Sequence, residues 1–90
     1  MGPICEAIRR RRLLEFEYSG RRRLVAPYCH GWTKKGERLR AVEIDDPEPF
    51  GKLWSVEKMA GLRVTDTPFL PNDPNYNPND SAMERICCCV

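Results

Sequence analysis

Two sets of side chains in this sequence could do chemistry: thiols accompanied by one imidazole, and arginines in runs. Cys5 and Cys29 stand alone, Cys87, Cys88 and Cys89 are consecutive, and His30 is the sole histidine. On a strand the neighbours Cys29 and His30 point to opposite faces, so they cannot act as a nucleophile–base pair. Adjacent α-carbons are about 3.8 Å apart, short of the roughly 4.4–6.8 Å that a disulfide spans, so the terminal triplet cannot bridge within itself without strain. An odd number of cysteines and no apolar leader predict five reduced thiols in a cytoplasmic chain. No C-x-x-C pair is present. A metal site assembled from Cys29, His30 and the tail lacks the usual ligand spacing, so no metal ligand and no cofactor are expected. The last four residues match a prenylation box only in outline, with Cys where aliphatic residues belong. Asn79-Asp80-Ser81 matches a glycosylation sequon, which has meaning only in a secreted chain.

The arginines are Arg9–Arg12 and Arg21–Arg23. They make the charge asymmetric: residues 1–40 carry +7 and residues 41–90 carry −5, within a net charge of +2. Such a bias serves either as solvated surface or as a patch for phosphate and other anions. The candidate cations are Arg21, Arg22, Arg23, Arg40 and Lys58, and the candidate stacking or hydrogen-bonding rings are Tyr18, Tyr28, His30 and Trp32. Simple strand parity puts Tyr28 and His30 on one face with Leu24 and Ala26, which also allows Tyr28 to be core. Enzymatic motifs are missing: no glycine-rich phosphate loop, no H-E-x-x-H and no paired-carboxylate motif, while Glu15 and Glu17 share the solvent side of their strand.

Ninety residues make one domain. No apolar run reaches the roughly 20 residues that cross a bilayer, so the reading is a soluble chain with no membrane partner. Pro3, Ile4, Ala7, Ile8 and Arg11 predict a helix over residues 1–12, acidic at its start and basic at its end. From Leu13 the period becomes two, and residues 13–66 predict about five strands. These are Leu13–Tyr18, Arg22–His30, Glu37–Asp45, Lys52–Val56 and Leu62–Asp66, with turns at Ser19-Gly20 and Lys34-Lys35-Gly36. Pro27 predicts an edge or bulge. In the third strand Leu39 and Ala41 share one parity and Val42 and Ile44 the other, which predicts a bulge near Ala41. The fold class is mainly β with terminal helices, a strongly bent sheet or small SH3-like barrel. Residues 67–80, rich in Pro and Asn, predict an extended strap anchored by Phe69, Leu70 and Tyr76. Asn79 or Asp80 would then cap a second helix over residues 81–90, with Met83 and Ile86 on its apolar side.

The stretch AIRRRRLLEFEYSGRRRLVAPY, a glycine hairpin, and then LWSVEKMAGLRVTDTPF resembles the WYL domain of bacterial regulators. Ile8, Tyr18-Ser19, the basic turn, Val25 to Pro27, Lys58-Met59, Val64 and Phe69 carry the resemblance, which covers about Pro3 to Phe69. The YNPND segment, Tyr76 to Asp80, is similar to the end of short stand-alone members. Two positions depart from the family. The naming tripeptide falls near Glu37-Arg38-Leu39, where only the leucine matches, and a common late arginine falls at Lys58, which lacks the two-pronged grip on phosphate. The resemblance implies an SH3- or Sm-like barrel and a regulatory role in sensing nucleotides or single-stranded nucleic acid. Larger relatives place a winged helix-turn-helix ahead of this domain, for which ninety residues leave no room. The expected function is thus a non-enzymatic anion-binding module. The alternative is a protein-interaction or homodimerisation module using free strand edges, the acidic Asp45-Asp46-Pro47-Glu48 loop or the cysteine-rich tail.

Overall fold

The chain begins with a helix because Pro3 pre-sets the first turn and Ile4, Cys5, Ala7 and Ile8 make one buried stripe. A computed structural model describes residues 2–45, 52–71 and 83–90. Helix α1 (Pro3–Arg10) carries a Glu6–Arg10 pair on its exposed side and ends at Arg11, whose left-handed φ of 54° turns the chain back. Strand β1 (Arg12–Tyr18) then runs into a tight hairpin. Ser19 and Gly20 both have positive φ, 53° and 78°, the backbone that a two-residue hairpin loop requires. Strand β2 (Arg21–Thr33) is the long central element, followed by β3 (Gly36–Glu43), β4 (Lys52–Ser55), a single 3-10 turn at Val56–Lys58, and β5 (Ala60–Pro68). A last strand, β6 (Arg85–Cys89), completes the sheet.

The sheet is antiparallel and open, in the order β4-β3-β2-β1-β5, with β6 also on β2. Of the two architectures expected, the bent sheet is the one formed. One flank of β2 is shared: Arg21–Val25 pairs with β1, and Cys29–Trp32 pairs with β6. Pro27, which has no N–H to give, stands between those two stretches.

The irregularity expected in the third strand lies instead in its partner. Pro27 faces Ala41 and Cys29 faces Arg40, so Tyr28 is the extra residue of a bulge in β2, while Leu39, Ala41 and Glu43 are buried in regular alternation. That extra residue resets the parity beyond it. Tyr28 stays on the face of Ala26, and His30 turns to the face of Leu39, under α1. The simple alternation that grouped Tyr28 with His30 is therefore corrected.

Two apolar layers result. Under the helix, Ile4, Ala7, Ile8, Leu14, Phe16, Val25, Leu39, Ala41 and Trp54 form the main core, each large side chain contributing about 1.5–3 kcal/mol by leaving water. On the other face Leu13, Ala26 and Tyr28 are covered by Leu24, Val42, Phe69 and Val90. Phe69 is thus an anchor, with its ring 5.7 Å from that of Tyr28, whereas Leu70 is 78% exposed and is not. Tyr76 and the rest of the strap over residues 72–80 lie outside the described residues, as does the loop over residues 46–51.

The second terminal helix is a correction: Arg85–Cys89 is a strand. Ile and a run of Cys are indifferent helix formers, and β2 offers an unpaired flank beyond the end of β1 that a strand satisfies and a helix cannot. The thiols are corrected as well. Cys5 is bonded to Cys88 and Cys29 to Cys89, leaving Cys87 free and exposed. The pairs are distant in sequence, and β6 brings them together.

Candidate functional site

The β1–β2 hairpin carries the run Arg21–Arg23, and the sheet sets Arg22 and Arg23 against carboxylates. Cross-strand pairing sets Tyr18 opposite Arg21 and Glu17 opposite Arg22. Arg22 lies 3.3 Å from Glu15, and Arg63 on β5 lies 3.0 Å from the same carboxylate. The Arg63 hydrogen bond, with the charge of Arg22 behind it, holds the Glu15 carboxyl below its ordinary value. Arg23 points inward. Its side chain is 13% exposed and Nη1 reaches Glu43, itself 5% exposed, at 3.4 Å, while Nε donates to the Tyr18 carbonyl at 3.3 Å. Lys52 approaches Glu43 at 3.7 Å, and both cations lie over the Trp54 ring. Tyr18 is structural in its contacts: the ring packs on Phe16 and Trp54, and the hydroxyl accepts from the Ser55 N–H at 3.1 Å. Among the described residues, the concavity at this end is lined by Arg21, Arg22, Glu43 and Asp45, so cations and anions both face it.

The opposite end of β2 differs. Trp32 is 40% exposed, and the Arg85 guanidinium sits 5.7 Å from its ring centroid, held there because β6 pairs Arg85 directly with Trp32. Lys34 and Lys35 are exposed in the adjoining turn, where Thr33 Oγ1 accepts from the Lys35 N–H at 3.1 Å. Arg38 donates to Glu57 at 3.0 Å and to the Lys35 carbonyl at 3.3 Å, tying the 3-10 turn at Glu57 to the same end. The Glu57 carboxyl is held below its ordinary value, first by its own backbone N–H and then by Arg38. Of the residues singled out in the sequence, Trp32 is thus at this end and Arg21, Arg22 and Arg23 are at the other, while Lys58 lies between Glu57, held by Arg38, and Ala60, which pairs with Glu17 beside the β1–β2 hairpin. Arg40 is half-buried in mid-sheet between Cys29 and Leu53, and Tyr28 is core.

His30 occupies a third setting. It is buried beneath α1 with Nδ1 at 3.5 Å from Cys5 Sγ and 3.8 Å from Cys88 Sγ, while Nε2 is 2.5 Å from a Glu37 carboxylate oxygen. Cys29, on the other face of β2, takes no part in this cluster. Arg85 beside Trp32, and Glu37 and Cys5 around His30, are the residues that sequence reasoning missed; it grouped the tail with His30 but took Cys29 in place of Cys5. No periodicity links α1 or the tail to the middle of β2, and only the register of β6 does so. No family model, curated protein or solved structure matches the chain.

Proposed function

We propose that this chain is a non-enzymatic binding module that takes nucleotide-like anions or short single strands at the β2–β3 hairpin end. The observation that carries the reading is exposed Trp32 beside Arg85, with Lys34 and Lys35 in the next turn. An exposed indole offers a π-face to any base, and flanking cations take the backbone without regard to sequence. The likeness to WYL domains supports the same ligand class, whereas the mixed charge around Arg21 and Arg22 supports it less.

The test is fluorescence anisotropy with a labelled pyrimidine oligonucleotide across a salt series. Trp32→Ala is expected to weaken binding by about 1–3 kcal/mol with little change in salt dependence. Lys35→Glu is expected to weaken all sequences alike and to flatten the slope of log K against log salt by about 0.7 for each phosphate no longer neutralised. No binding at low salt overturns the proposal. The competing reading, association through the outer edges of β4 or β5, then predicts a concentration-dependent dimer in sedimentation.

A further inference from the structure

Three elements meet at His30: α1 brings Cys5, β2 brings the imidazole and β6 brings Cys88, and their ligand atoms all lie within 4.8 Å of one another. We propose that these three residues are a binding site for a thiophilic divalent cation of the zinc class, assembled when the Cys5–Cys88 bond is reduced. With metal–sulfur bonds of about 2.3 Å and metal–nitrogen bonds of about 2.0–2.1 Å, a tetrahedral ion sets sulfur and nitrogen about 3.6 Å apart and two sulfurs about 3.8 Å apart. The Nδ1–Sγ separations of 3.5 and 3.8 Å already match the first of these edges. Only the sulfur–sulfur edge must open, and breaking the bond between those atoms opens it.

The imidazole is oriented for this role. Glu37 Oε2 stands 2.5 Å from Nε2, which leaves Nδ1 as the ring nitrogen that faces the two sulfurs. A carboxylate behind a ligating histidine is the usual outer support of a metal site, and it raises the basicity of the ligand. Cys5 and His30 are buried and Cys88 is half-buried, so three protein ligands leave a fourth position for water or another donor.

The chemistry balances with a dithiol as the reductant. The dithiol passes two electrons and two protons to the Cys5–Cys88 bond, giving two thiols, and itself becomes a disulfide. Binding of the divalent ion then releases both thiol protons to solvent, and two thiolates offset its charge beside a neutral imidazole.

The full chain, reduced with excess dithiol and passed into metal-free buffer under argon, is titrated with zinc and, separately, with cobalt(II). The expected result is one zinc per chain by elemental analysis and, with cobalt, near-ultraviolet thiolate-to-metal charge-transfer bands. Cys5→Ser, His30→Ala and Cys88→Ser should abolish both, and Cys87→Ser should leave both unchanged. Glu37→Gln retains every ligand, so it remains informative if a ligand variant misfolds. It is expected to lower zinc affinity roughly 10–100-fold. Zinc absent from the reduced chain, or bound equally well after Cys5→Ser and Cys88→Ser, overturns the proposal.

Discussion

A Cβ built on Gly31 would run into the Arg85 carbonyl oxygen, with Met83 Sδ 2.8 Å away and the Ile86 α-carbon 3.1 Å away. The backbone of β6 therefore lies almost against that of β2, and it does so beside both Trp32 and His30. Gly31→Ala must push β6 outward, and overpacking of this kind is expected to cost about 1–3 kcal/mol in a urea melt. An unchanged midpoint would place the tail somewhere other than on Gly31. The same strand explains what single residues conceal. Cys29 and His30 do point to opposite faces, as adjacency dictates, yet the imidazole still meets thiols, because its partners come from α1 and β6 and not from its neighbour. Tyr28 and His30 look equivalent by alternation, and one bulged residue separates them. An extra residue leaves no mark in composition; it is visible only once Pro27 and Cys29 find consecutive partners, Ala41 and Arg40.

At the scale of elements, the β1–β2 hairpin was the most legible part because its signals are local: Leu14, Phe16 and Tyr18 alternate with acids, and Ser19-Gly20 closes the turn. The tail was the least legible. Its ten residues offer Met83 and Ile86 at a spacing that suits a helix, and the strand forms because β2 presents an open flank sixty residues earlier, between Cys29 and Cys89. Such a pairing is a property of two segments at once. It also makes β6 a cover: Val90 packs on both apolar layers, Met83 is buried, and the Val90 N–H bonds the Tyr28 carbonyl at 2.9 Å. Cutting the chain after Phe69 uncovers Tyr28, Cys29 and His30. The expected destabilisation is several kcal/mol, at roughly 1.5–3 kcal/mol for each large side chain left uncovered. Thermal unfolding of both forms in reducing buffer measures packing apart from the covalent links. Equal melting temperatures there would mean that β6 rests on the sheet only by its disulfides.

For the whole molecule, the bond between Cys5 and Cys88 nearly closes the chain into a ring, with a sequence separation of 83, and the second bond spans 60. Loop closure of that length removes about 4 kcal/mol of unfolded-state entropy for either bond taken singly. The second adds less than the first, because one fastens Cys88 and the other its neighbour Cys89, so the loop left to close is shorter. Reduction is therefore expected to lower the melting temperature by at least roughly 16–32 °C, at about 4–8 °C per kcal/mol for a domain of this size. The tie at Cys5, His30 and Cys88 can then be remade by a metal that binds the folded state alone, which adds about 2.7 kcal/mol when the free ion is at 100 times its dissociation constant. Scanning calorimetry of the oxidised chain, the reduced chain with zinc and the reduced chain with a chelator should rank them in that order. If zinc leaves the reduced melt where the chelator leaves it, α1 and β6 are joined by sulfur alone. If reduction itself changes nothing, the two disulfides contribute no net stability, and the ring is not what holds the sheet together.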